Sequence, residues 1–149
     1  MVLCFRQSKE TKMKPNRVEF TETAMDLMRK LANRHGSGLM FHQSGGCCDG
    51  SAPMCYTAGE FRTGGSDVML GELEVDGVPG KIQFWMSAEQ FEYWKHTHLT
   101  IDAIPGRGSG FSLEAPEGMR FLTRSRMYTD EEWLQLKDET LPTGLEVNA

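Results

Sequence analysis

The chain has 149 residues, 39% of them hydrophobic and 25% charged, which is the size and composition of one globular domain. A domain of this length buries about 68–70% of its unfolded surface, so it needs no disulfide to fold. The net charge of −5 is uneven, +4 over residues 1–34 and −9 over residues 35–149, and an acidic main body argues against nucleic acid as a partner. No run approaches the ~18 apolar residues of a membrane span, and "MVLCF" is too short for a signal-peptide core, so the cytoplasm is the expected location.

Residues 1–16 read as a polar, flexible leader containing an isolated thiol, Cys4. A helix is expected from Thr21 or Thr23, because Ala24, Leu27, Met28 and Leu31 recur on one helical face, and Gly36 or Gly38 should end it. "GLMFHQS" reads as a strand that delivers the chain into a glycine-rich loop. "DVMLGELEV" and "GKIQFWM" form a hairpin with Asp76-Gly77 as its turn. "SAEQFEYW" is a short helix, with Ser87 and Gln90 at capping-box spacing. "HLTIDAI", "FSLE" and "MRFLTRSRM" read as strands. "TDEEWLQLKDE" is a closing helix capped by Thr129, with acids in its first turn. The tail after Pro142 should fray. The organisation is thus a leader over 1–16, one compact α+β domain over 17–140 with a mostly antiparallel or mixed sheet, and a tail over 141–149.

The chemistry concentrates in "HQSGGCCDGSAPMCY", residues 42–56, which holds Cys47, Cys48 and Cys55. In an extended chain Cys47 and Cys48 point to opposite sides. Gly45, Gly46 and Gly50 permit a turn that would bring them onto one ion. Thiolates suit zinc, copper or an iron–sulfur cluster, and His42 would complete a Cys₃His zinc set. Redox or persulfide chemistry, a disulfide, and a loop of inert thiols are the competing readings. In a reducing compartment the ligand and reactive readings outrank the disulfide.

Other clusters are weaker. His96 and His98 would share one face of a strand, and His35 suits a helix C-terminus. "GRGSG" at 106–110 is a turn, since neither a following helix nor a Gly-Lys-Ser/Thr makes it a phosphate loop. Arg120, Arg124 and Arg126 line one strand face, where they either meet an anionic ligand or partner or form a solvated, salt-bridged surface.

"FHQSGGCCDGSAPMC", "YWKHTHLTIDAIPGRGSGFSLE" and "RFLTRSR" together resemble the bacterial family called domain of unknown function 779, over roughly residues 17–135. The genes of that family often lie beside aldehyde dehydrogenase genes, so the resemblance implies an accessory role in alcohol or aldehyde metabolism. A second likeness links "GGCCDG", entered from an apolar strand, to the "GGCSG" signature of HesB-like A-type iron–sulfur carriers. "LTIDAIPGRGSGFSLE" is similar to a later stretch of the same carriers. That likeness implies a HesB-like sheet with Cys47 as the first ligand. The carriers add a C-terminal Cys-Gly-Cys, whereas this chain has no cysteine after Cys55. Cys48 and Cys55 would have to replace those ligands.

The expected protein is therefore a non-enzymatic accessory protein with a thiolate loop that binds metal or sulfur. Its ligands are Cys47, Cys48 and Cys55, with His42 as a candidate fourth. The bound group is zinc, copper, iron or an iron–sulfur cluster. The expected partner is an aldehyde or alcohol dehydrogenase, and self-association into a homo-oligomer stays open. Two other classes compete: a cysteine-dependent enzyme or persulfide protein acting on an aldehyde or thiol, and a structural interaction domain with a disulfide in the loop.

Overall fold

A computed structural model describes residues 15–43, 51–107 and 112–148. The described residues form an α+β fold with two mixed sheets. The first strand, β1 (Val18–Phe20), runs into helix α1 (Glu22–His35). Thr21 caps α1, its hydroxyl accepting from the Ala24 N–H at 3.1 Å, and Gly36 closes it in the left-handed region at φ 64°. Ala24, Leu27, Met28, Leu31 and Ala32 are the buried stripe of this helix, at the expected spacing.

After α1 come β2 (Leu39–Gln43), β3 (Met54–Thr57), β4 (Asp67–Glu74) and β5 (Lys81–Ser87). They pair in the order β3-β2-β5-β4, with β2 and β5 parallel and the two outer pairs antiparallel. The β4–β5 turn is the expected one. The Val78 N–H returns to the Val75 carbonyl at 3.0 Å, and Gly77 takes φ 94°, as the third position of a type II turn requires. Helix α2 (Ala88–Trp94) follows, capped by Ser87, whose hydroxyl accepts from the Gln90 N–H. Strand β6 (Thr97–Pro105) then lies between β1, to which it is parallel, and β7 (Met119–Met127), to which it is antiparallel. Helix α3 (Asp130–Leu136) carries a full capping box between Thr129 and Glu132.

The core lies between the two sheets and against α1. Phe41 of β2 meets Phe121 of β7 edge-on at 5.0 Å and stacks on Phe84 of β5 at 6.0 Å. All three are fully buried, each contributing about 1.5–3 kcal/mol of transfer free energy.

Three expectations are corrected. "FSLE" is not a strand: Ser112–Glu114 form turns leading into a 3₁₀ turn at Ala115–Glu117, where Pro116 and the side-chain bonds of Ser112 and Glu114 displace ladder pairing. β3 lies where the cysteine loop was read as irregular throughout. The tail does not fray. The Met69 N–H donates to the Pro142 carbonyl at 3.0 Å, and Thr143 bridges Val68. A short helix α4 (Gly144–Val147) then packs so closely that a Cβ on Gly144 would fall 2.4 Å from the Gly64 nitrogen. Leu141 belongs to the core cluster, which is why the segment docks. The cysteines Cys4, Cys47 and Cys48, most of the 1–16 leader and most of the "GRGSG" turn lie outside the described residues.

Candidate functional site

Strand alternation decides which side chains can meet. In β2, Leu39, Phe41 and Gln43 face the space between the sheets, and Met40 and His42 face the other way. Cys55 pairs with Phe41, and Met54 with His42. Paired residues share a face, so Cys55 points into the core and His42 points out of it. Cys55 is completely buried and carries a free thiol. Burial pushes its pKa well above the ordinary thiol value, and the nearby Glu114 carboxylate raises it further. A thiol in this setting is inert as a nucleophile unless a cation joins it.

A buried polar row surrounds that thiol. The Cys55 N–H donates to the Ser112 hydroxyl at 2.8 Å, and the Ser112 hydroxyl donates to the Glu114 carboxylate. The Cys55 carbonyl accepts from the Leu113 N–H at 3.0 Å. The second Glu114 oxygen meets the Phe121 N–H at 3.5 Å, a weak contact. One rung along, the Thr123 hydroxyl donates to the Gln43 side-chain carbonyl at 2.9 Å, and the Thr123 N–H donates to the Ser51 carbonyl at 2.7 Å. Gln43, Ser112, Glu114 and Thr123 are all at most 3% exposed. Burial raises the Glu114 pKa even though its hydrogen bonds work in the opposite direction. Gln43 and Ser51, the described residues on either side of the segment that bears Cys47 and Cys48, both bond to Thr123 in this row.

The other candidate residues fall elsewhere. His42 Nε2 lies 2.8 Å from Asp67 Oδ1, its ring stacks on Phe61 at 4.4 Å, and Asp67 Oδ2 accepts from the Gly64 N–H. While the β2–β3 ladder holds, His42 and Cys55 cannot reach one ion. Among the described residues, no three His, Cys, Asp or Glu side chains converge as a metal site. His96 precedes β6 and its ring lies tilted against Trp133, with centroids 4.4 Å apart. His98 is buried beside Tyr128, with Glu19 Oε2 at 3.5 Å from Nε2. The arginine face is salt-bridged: Arg124 pairs with Asp102 at 3.0 Å and Arg126 grips both Glu132 oxygens at 2.9 and 3.1 Å. A cavity of about 350 Å³, lined by Met40, Phe61, Arg62 and Trp85 among others, lies on the outer face of the four-stranded sheet, away from Cys55.

Sequence reasoning did not pick out Gln43, Ser112 or Thr123, and placed Glu114 at the end of a strand, "FSLE". The available signal was faint: a serine and a glutamate two apart in an apolar stretch, ahead of Pro116.

The fold and this row define an α+β domain that holds a buried thiol and carboxyl between two mixed sheets. The chain belongs to the family described as "Domain of unknown function (DUF779)", whose profile matches residues 27–127. That match takes in Cys47, Cys48, Cys55, Glu114, the whole four-stranded sheet and strands β6 and β7 of the other. No curated protein matches the chain in sequence. Among the described residues, no helix is long and apolar enough to cross a membrane.

Proposed function

We propose that the protein is a non-enzymatic accessory protein that binds a metal ion or cluster through thiolates, with Cys47, Cys48 and Cys55 as its sulfur ligands. The observation that carries this reading is Cys55 itself: a free, fully buried thiol beside a buried carboxyl, at the root of the loop that holds two further thiols. Burial that penalises a lone thiolate favours a thiolate–cation pair, because the charges cancel where water cannot screen them. The candidate ions are zinc, copper, and iron as an ion or an iron–sulfur cluster. His42 is committed to Asp67 on the other face and is left out of the ligand set.

Cys55 is a poor candidate for the cysteine-enzyme alternative, since its thiol is buried and hard to ionise. The partner we propose is an aldehyde or alcohol dehydrogenase, which rests on the family's gene neighbourhood as given above. The test is elemental analysis of anaerobically purified protein. About one equivalent of zinc, copper or iron is expected, and replacing all three cysteines by serine should abolish it. Anaerobic protein that carries no metal and takes up none when zinc, copper or iron is added would overturn the proposal.

A further inference from the structure

The outer face of the four-stranded sheet is not left to water. Met40 and His42 of β2 and Trp85 of β5 lie on it, 4%, 3% and 1% exposed. A sheet face open to solvent carries polar side chains, so side chains buried to this extent need a cover. Part of that cover is the segment 59–63 between β3 and β4. Phe61 lies against His42 at 4.4 Å and against Tyr56 at 5.1 Å. The Asn148 side-chain amide ties the segment to the C-terminal helix, donating to the Thr63 carbonyl and hydroxyl, each at 3.1 Å. Cover and sheet do not close on each other. A cavity of about 350 Å³ lies where they part, with Met40 and Trp85 on the sheet side and Phe61, Arg62 and Thr63 on the other. Protein interiors are close-packed, and a space of this size falls at the lower end of the range for small-molecule sites.

We propose that this cavity binds a small organic carboxylate, with the apolar body of the ligand against Phe61, Met40 and Trp85 and its carboxylate on Arg62. Charge selects the ligand class. Arg62 is exposed at the cavity and has no ion-pair partner among the described residues. Glu60 is the acid beside it, but its carboxylate is turned back onto Thr57, whose hydroxyl donates to Oε1 at 3.0 Å. Gln83 is also committed. Its side-chain carbonyl accepts from the Trp85 indole N–H at 3.0 Å, and its amide donates to Glu72 at 3.0 Å. The charged donor left for a ligand is therefore the guanidinium, whose planar fork takes a carboxylate through two parallel hydrogen bonds. Aromatic walls alone would also suit an organic cation, which Arg62 repels. The site is separate from the thiols, because Cys55 faces the opposite side of the same sheet, so the two readings stand or fall independently.

The test is a proton–nitrogen NMR titration of the full chain with benzoate, phenylacetate and hexanoate, and with benzamide and benzylammonium as the neutral and cationic counterparts. At least one of the acids should shift the Trp85 indole N–H and the amides of residues 59–63 saturably, with a Kd of about 1 mM for probes this small. Benzamide should bind more weakly than benzoate, and benzylammonium should leave these resonances unmoved. Arg62→Gln changes an exposed side chain and keeps the sheet intact. It should weaken the bound acid about tenfold, as loss of a charge-assisted hydrogen bond does, and leave the response to benzamide as it was. The proposal is overturned by the absence of a saturable shift from all three acids. Binding of benzamide or benzylammonium as tight as that of benzoate, or unchanged acid affinity in Arg62→Gln, would overturn it equally.

Discussion

Cys55 and His98 show how burial sets the chemistry of single residues. Cys55 sits in the core face of β3, where its thiol is held protonated by burial and by Glu114. In the folded, metal-free protein, iodoacetamide should therefore leave Cys55 unmodified on a timescale that labels an exposed thiol fully. Denaturant should expose it, as peptide mass spectrometry would show. Rapid native labelling would place Cys55 at the surface. His98 is buried on β6, with the Glu19 carboxylate 3.5 Å from its Nε2. Burial lowers its pKa, Glu19 and Glu132 pull it back up, and Arg126 pushes it down. Because the folded value lies below the unfolded one, the unfolded chain takes up a proton that the folded chain declines. Stability should thus fall as pH drops below about 6.5 and level off once the lowered folded value is passed. His98→Phe should show a shallower decline over that window in denaturant melts, and an identical slope would count against this assignment.

At the scale of elements, cap residues made the helices legible. Thr21, Ser87 and Thr129 each accept the expected N–H, and Gly36 ends α1 in the left-handed region. The hairpin was legible for the same reason, since Asp76-Gly77 states its own turn. β1 was not, because its three residues are a strand only through the parallel ladder with β6. β3 was hidden inside a segment dominated by cysteine, glycine and proline. The site was half legible: its thiol is plain in sequence, but Ser112, which holds the Cys55 N–H, comes 57 residues later. The C-terminal segment was misread because its docking depends on the absence of a side chain at Gly144, which no periodicity reports. Gly144→Ala should drive a methyl into the Gly64 backbone and lift α4 from β4. The expected cost is about 1–3 kcal/mol, with faster amide exchange at Met69 and more rapid proteolysis after Leu141. Unchanged exchange would show that the contact is slack.

For the whole molecule, the question is whether the fold depends on what the loop binds. The aromatic contacts of Phe41 with Phe84 and Phe121, together with the α1 stripe, form a core built from described residues on β2, β5, β7 and α1. Replacing Cys47, Cys48 and Cys55 together by serine should therefore keep the far-ultraviolet circular dichroism and a cooperative melt. The buried hydroxyl at 55 should cost about 1–3 kcal/mol, and loss of a bound ion should lower the melting temperature further. An unfolded triple variant would instead mean that the ion organises the fold, as in small zinc domains.

The central proposal is that these thiols hold a cation. The most direct measurement is residue-resolved alkylation of the full chain under anaerobic conditions, first loaded with Zn²⁺ and then treated with a chelator. Cys47 should resist labelling in the loaded protein and become reactive when the ion is removed, with Cys55 protected in both states by burial. Equal labelling of Cys47 with and without the ion would contradict a thiolate metal site in this protein.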